Sequence, residues 1–364
     1  MHGELLGKAV HRRQKWHSGY HTKKEAERAR VDLLAKLDRG EYVEPTRQTM
    51  GGFMTSWLES VATTVRPATV ASYRRIVSSA VVPRIGSVPL QKLRAPDLNR
   101  LYAELLASGG RRRHGLSAKS VRNVHIVVHR ALADAVRWGD LSRNPADNAD
   151  APQVQRKEMR TWSAGETRTF LDSVTDDPVR AAWVLVATTG ARRGEVLGLR
   201  WGDLDLDNGR AAVVQQLTTV NNQLVFVPPK TAKGRRSLAL DRYTVDVLRE
   251  HRKRQLEQRM ALGSGWPGHD LVFTRPDGEP VHPDSFTRWF VQRARAAGLP
   301  VIRVHDLRHG WATLALEAGV HPKVVSEQLG HSTVAITLDL YSHVSPTMAA
   351  DAVERVSGAV FGDR

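Results

Sequence analysis

The chain has 364 residues and no cysteine. That absence removes disulfides, thiolate metal sites and cysteine nucleophiles, and it fits a reducing compartment. Long apolar runs are missing too: nothing approaches the roughly 18–20 residues of a membrane-spanning helix. The N-terminus MHGELLGKAV lacks the apolar core of a secretion signal, so a soluble, unsecreted, cytoplasmic protein is expected. Acidic residues are few beside basic ones, 38 Asp and Glu against 54 Lys and Arg, giving a net charge of +16 and a pI near 10.5. A polyanionic partner is implied, and nucleic acid first of all.

The excess is uneven. Residues 1–45 hold 10 basic and 7 acidic groups, residues 46–160 hold 19 and 8, and residues 161–364 hold 25 and 23. A charge run is usually a solvated face, but +11 concentrated in one third of the chain reads as an electrostatic footprint.

The hydrophobic period divides the chain into three. TKKEAERARVDLLAKLDR (22–39) predicts a helix with Thr22 and Glu25 as a capping box, Leu33, Leu34 and Leu37 on its apolar side and Gly40 as the stop. About twenty His-, Lys- and Arg-rich residues precede it, enough for a small hairpin at most. Residues 50–150 are helical in period, broken at RIGSVPL and SGGRRRHGLS, and their clearest helix repeats Val121, His125, Val128, Leu132 and Val136 at spacings of three and four. A polar, proline-bearing boundary, RNPADNADAPQVQRKEMR, follows at 143–160. Beyond it, DPVRAAWVLVATTG predicts a helix with Val179, Ala182, Trp183 and Val186 on one face, and RRGEVLGLRW predicts a second. RAAVVQQLTT, LVFVPP and RRSLAL predict three strands, the first two joined by a hairpin turn at VNNQ, and LVFT reads as one more short strand. The fold expected is mainly α with a small antiparallel sheet in an α+β C-terminal part.

Residues 305–344, HDLRHGWATLALEAGVHPKVVSEQLGHSTVAITLDLYSHV, put His305, Arg308, His331 and Tyr341 into forty residues of short helices. Singly, each has an ordinary explanation: a core or surface histidine, an arginine paired to the adjacent Asp306, a core tyrosine, or a helix-turn-helix that reads DNA without chemistry. Upstream residues change the balance. TTGARRGEVLGLRW sets Arg192 just past a glycine-terminated helix with Glu195 three residues on, and VPPKTAKGRR sets Lys230 at the tip of a strand pair. Two guanidinium groups can clamp the oxygens of one phosphate, histidine can move a proton and lysine can protonate a leaving oxygen. Tyr341 would be the nucleophile, its phenol activated by the clustered cations.

The motifs TGARRGE, PPKT, HDLRH, LGH and LDLYSH, in this order, resemble the signature set of the tyrosine recombinases, the phage-integrase type of site-specific DNA recombinase. The match in motifs spans about 160–345, while 50–150 resembles the family's helical, SAM-like core-binding domain in pattern only. The resemblance implies an N-terminal arm-like DNA-binding segment (1–45), shortened here, a core-binding domain (50–150) and a catalytic domain (160–364), forming a C-shaped clamp on DNA. It implies that Tyr341 attacks the scissile phosphate and becomes joined to the 3′ phosphate, that Arg192 and Arg308 bind the phosphate oxygens, and that Lys230 is the acid for the 5′ oxygen. His305 would transfer a proton with Glu195 behind it, and His331 would bond the phosphate. Arg193 is the alternative to Arg192, and Lys233 to Lys230. No metal and no other cofactor is implied, because the covalent intermediate conserves the phosphodiester bond energy.

Duplex DNA carrying attachment sites is the partner expected, with a homotetramer joining two duplexes through a Holliday junction. A directionality factor or a host DNA-bending protein is the kind of accessory protein to expect. Thr69, Tyr73, Arg74, Lys119 and Arg122 lie on helices aimed at the duplex, and the tail SPTMAADAVERVSGAVF, with Met348, Ala352, Val353 and Val356 at helical spacing, would dock on a neighbouring protomer. The Asp-rich DLDLDNG (203–209) is off register for a calcium loop and reads as a turn into a strand. A type IB topoisomerase-like enzyme and a non-catalytic helix-turn-helix regulator are the alternative functions.

Overall fold

The computed structural model describes residues 19–39, 42–110, 114–155, 160–229 and 232–341, with parts of 353–362. Lys230 and most of the tail, including Met348 and Ala352, lie outside the described residues. The chain forms two compact units, residues 1–155 and 156–364.

The first unit is helical. Helix α1 (Lys23–Asp38) starts where Thr22 Oγ1 accepts from the Glu25 N–H at 3.2 Å; the Glu25 carboxylate reaches one residue further back than a capping box requires, to the His21 N–H at 3.0 Å. Its apolar side is open rather than packed, with Val31, Leu34 and Leu37 about half exposed. Helices α2 (Met50–Val61), α3 (Pro67–Ile76), α4 (Val82–Ile85), α5 (Ala95–Ser108) and α6 (Ala118–Trp138) enclose one core. A π-helical turn, Val77–Val81, joins α3 to α4. The reason is local: Pro83 has no N–H for the carbonyl four residues back. Arg84 Nη1 supplies the missing donor, bonding the Ser79 and Ala80 carbonyls at 3.3 and 3.2 Å. Ser117 caps α6 and Gly139, at φ +84°, ends it, so the predicted stripe lies along the core through Val121, Val128 and Leu132. Each such buried aliphatic chain contributes about 1.5–3 kcal/mol.

In the second unit, α7 (Ala164–Ser173) opens with a true capping box between Ser163 and Glu166. Helix α8 (Arg180–Thr189) is buried on every side from Ala181 to Val186, not on the single face its sequence suggests. Its core is aromatic: Trp183 stacks on Phe286 at 4.0 Å, with Phe170, Phe290 and Trp162 around them. Helix α9 (Arg193–Leu197) follows. The predicted strand RAAVVQQLTT divides at Val214–Gln215, and its halves join different sheets. Strand β2 (Arg210–Val213) lies between β1 (Leu204–Asp205) and β5 (Arg236–Ala239), all antiparallel. Strand β3 (Gln216–Val220) pairs with β4 (Gln223–Val227) through Asn221 and Asn222, both at positive φ, as a tight hairpin turn demands. LVFT forms only isolated bridges at its two ends. In DLDLDNG, Asn208 bonds both oxygens of Asp205 and makes the turn. Helices α10 (Arg242–Leu262), α11 (Pro283–Ala296), α12 (Val304–Glu317), α13 (Pro322–Leu329) and α14 (Ala335–Tyr341) complete the unit. Among the described residues, no helix is long and apolar enough to cross a membrane.

Candidate active site

Two glycine-capped helix ends build the site. Gly190 closes α8 at φ +63°, where a Cβ would lie 2.6 Å from Leu329 and 3.1 Å from Trp311. Only glycine fits that close approach. The turn it makes sends Arg192 out as the N-cap of α9. Gly330, also at φ +63°, closes α13 and puts His331 immediately after the helix end.

A helix end leaves its last carbonyls without intrahelical donors, and they carry partial negative charge. Cations fill these places. Arg308 Nη2 donates to the Leu329 carbonyl at 2.6 Å while its Nη1 reaches the Gly190 carbonyl at 2.8 Å. Arg192 Nη2 donates to the Gly330 carbonyl at 3.1 Å. The two arginines, 116 residues apart in sequence, are thus anchored on neighbouring carbonyls. Arg308 is 2% exposed; burial first, then the Arg192 charge, lowers it to about 9, which still leaves it cationic at neutral pH. Asp306 does not pair with it. That carboxylate takes Arg303, its own N-cap neighbour, at 2.6 Å.

Glu195 is fully enclosed. It accepts from the Arg192 N–H (2.9 Å) and Nη1 (2.7 Å), and from Arg236 Nη1 (3.0 Å) and Nη2 (2.8 Å). These bonds occupy the carboxylate, so it stands behind Arg192, and the expected support of His305 by Glu195 is not formed. Burial pushes its carboxyl up, but the Arg236 hydrogen bond and the charges of Arg236 and Arg192 outweigh this and hold it at about 2.

His331 is buried, and its Nδ1 lies 2.9 Å from Thr337 Oγ1 on α14. Burial, then Arg308 and Arg192, lowers its imidazole to about 4, so it is neutral at pH 7. His305 is open to water at the start of α12, its ring edge-on to His309 at 4.8 Å. Crowding by protein atoms and then His309 and Arg308 also lowers it. Tyr341 is the last residue of α14, the helix that Thr337 ties to His331. Lys233 Nζ donates to the Ser332 carbonyl at 3.0 Å. Arg193, the alternative to Arg192, points elsewhere, to Pro283 and Thr287 on α11.

Arg236 had no place in the sequence reading. The signal was there: in β5 the period of two puts Arg236 on the same face as the buried Leu238, and a buried arginine requires a carboxylate. The helical residues named for DNA divide. Arg74, Lys119 and Arg122 are exposed and Thr69 half-buried, whereas Tyr73 stacks on Trp57 at 5.5 Å and its hydroxyl accepts from Arg130 at 2.9 Å.

Comparison with known proteins decides the family. Residues 166–348 match the phage integrase family, half of the chain, and residues 49–106 match the phage integrase N-terminal SAM-like domain. The chain belongs to the phage integrase family. It is therefore a tyrosine recombinase, an enzyme that breaks and rejoins DNA, and the topoisomerase-like and regulator alternatives fall away. A tyrosine recombinase XerC-like protein of Caldanaerobacter subterraneus subsp. tengcongensis is 28% identical, covering 92% of this integrase and 90% of the relative. Two solved structures share the fold. The Tn1549 transposon integrase, in complex with transposon right end DNA, matches with TM-score 0.71 at 21% identity, over 85% of this integrase and 99% of that chain. Lambda integrase, as a tetramer bound to a Holliday junction, matches with TM-score 0.59 at 16% identity, over 89% and 88%.

Proposed function

We propose that this integrase recombines specific duplex DNA sites of a mobile element through a covalent bond to Tyr341. The phenol oxygen of Tyr341 attacks the scissile phosphorus, the bond to the 5′ oxygen breaks, and the 3′ phosphate stays on the protein. The phenol proton passes to the neutral His305 imidazole, and the departing 5′ oxygen takes a proton from Lys230, with Lys233 as the alternative donor. Arg192 and Arg308 neutralise the phosphate oxygens and His331 bonds one of them. Rejoining reverses the step with the 5′ hydroxyl of another strand, and two rounds pass through a Holliday junction in a homotetramer.

The observation that carries this reading is the anchoring of Arg192 and Arg308 on the adjacent carbonyls of Gly330 and Leu329, directly before His331. Donors fixed before the substrate arrives need no reorganisation as charge develops. Residues 50–150 would serve as the core-binding domain, with Thr69, Arg74, Lys119 and Arg122 against phosphates; Tyr73 would act through its ring and through Arg130. Residues 160–364 would be the catalytic domain, and 1–45 an arm-like segment.

The test is a suicide-substrate assay. Duplexes that the protein binds are selected from DNA around its gene, nicked beside candidate cleavage positions, and incubated with it. The expected result is a denaturant-resistant adduct with the wild-type chain and none with Tyr341→Phe; an adduct that persists in Tyr341→Phe moves the nucleophile elsewhere.

A further inference from the structure

Beyond Arg192 and Arg308, two more cations meet the end of α13. Arg236 Nε donates to the Gln328 carbonyl at 2.6 Å, and Lys233 donates to Ser332. Carbonyls 328, 329, 330 and 332 therefore each take a different cationic side chain, Arg236, Arg308, Arg192 and Lys233. Around this cluster Glu195 is the carboxylate that binds two of them, and Arg236 holds it with both terminal nitrogens. The Arg236 side chain is 7% exposed, against 35% for Arg192, and its three guanidinium nitrogens all bond protein groups, the Gln328 carbonyl and Glu195. Its packing is close: a Cβ at Gly330 would lie 3.0 Å from Arg236 Cδ.

We propose that Arg236 is a positioning residue for strand cleavage, clamping Glu195 to the C-terminus of α13 so that Arg192 and His331 stay aligned on one phosphate. The proposal rests on the recombinase reading of Arg192 and His331. Each oxygen of Glu195 accepts from both Arg192 and Arg236, and Arg236 continues the chain of bonds to Gln328, three residues before His331. Two elements that meet only in the folded chain, the α8–α9 turn and the α13 end, are bridged directly by Arg308 and by Arg192, and Arg236 adds a tie that passes through Glu195. Removing Arg236 would leave a buried carboxylate bonded to Arg192, with the charge of Arg308 nearby, and would free the Gln328 carbonyl beside the site.

The experiment measures single-turnover adduct formation on the suicide duplex from pH 5 to 8, together with duplex binding and thermal melting. Wild type and Tyr341→Phe run alongside: no adduct with wild type fails the recombinase reading itself, whatever Arg236 does. Given a wild-type adduct, Arg236→Met should bind the duplex within about threefold of wild type and cleave on the order of 100-fold more slowly, the scale of a small misplacement of reacting groups. Its rate should also fall as pH drops toward 5, because Glu195 loses the partner that holds it ionised. The groups facing Glu195 are Arg192 on its own turn, Arg236 on β5 and Arg308 on α12. His331 feels Arg236 as well, so the double variant Arg236→Met with Glu195→Gln separates the two. Loss of the acid limb in the double variant supports the route through Glu195, and its persistence overturns it. Arg236→Lys, which keeps the charge but not the fork, should be slowed less than Arg236→Met. Wild-type rates and pH profile in Arg236→Met, or in Arg236→Lys where Arg236→Met does not fold, overturn the proposal. Failure of both variants to fold overturns it too, by making Arg236 a requirement of the fold alone.

Discussion

The two units treat polar groups in opposite ways. Among the described residues, Asn144 is the one buried polar side chain before residue 156; Glu195, Arg308, His331, Thr337, Asp306 and several others are buried after it. The first unit keeps its cations outside an apolar core, although it contains most of the most basic third of the chain. The second is nearly neutral in total and yet draws guanidinium groups inside. Buried polar groups cost stability unless every one is bonded, so they persist where geometry is required rather than stability. Net charge and the candidate active site are therefore found in different places, and each unit should respond differently to substitution.

The largest effect is expected at Arg308. Arg308→Gln should slow adduct formation about a thousandfold, as the loss of a preorganised donor does, and cost about 2–4 kcal/mol of stability by stranding the Gly190 and Leu329 carbonyls; rapid-quench cleavage and denaturant unfolding check the two. A core truncation in the first unit should do the reverse. Leu132→Ala should cost about 3 kcal/mol while leaving the cleavage rate of folded, DNA-saturated protein within a few-fold of wild type.

Acid should sharpen the contrast. The imidazole of His331 is held below its unfolded value near 6.5, so the unfolded chain takes up protons first. Its contribution to stability is complete above pH 6.5 and is lost as pH falls toward 4. The second unit also holds His251 and His309 lowered by burial, so its stability, followed by unfolding at Trp183, should weaken as pH falls over this window, and His331→Asn should reduce the slope. Glu195 works further down: its carboxyl is lowered, so its contribution stands above the unfolded carboxylate range and disappears only as pH falls through about 2. The smallest effect is expected on the exposed cations. Arg122→Ala should shift stability by less than about 0.5 kcal/mol and reduce the slope of log binding constant against log salt by about 0.9. An unchanged slope would remove Arg122 from the DNA contacts.

Much of this was legible in the chain. Glycine stops, proline starts and apolar period mark α6, α8 and α13, and Asn221–Asn222 marks the hairpin, because these signals act within a few residues. The single face assigned to α8 failed because what surrounds a helix is decided by distant segments, here the aromatic rings of α7 and α11. The strand RAAVVQQLTT read as one because period two does not tell which sheet each half joins. For the site, Arg192, His305, Arg308 and His331 stood out by type and order, whereas Arg236 looked like one more arginine in KGRR.

Sequence alone determined the helices, their stops, the basic middle of the chain and the set of chemical groups, since propensity, capping and ionisation are properties of local residues. Only the tertiary structure decided that Arg192, Arg236, Arg308 and Lys233 converge on one helix end, and that Glu195 stands between two of them. Like charges repel at any spacing along the chain, and what gathers these is a row of unpaired carbonyls and a buried carboxylate that exist as a site only once α9, β5, α12 and α13 have packed.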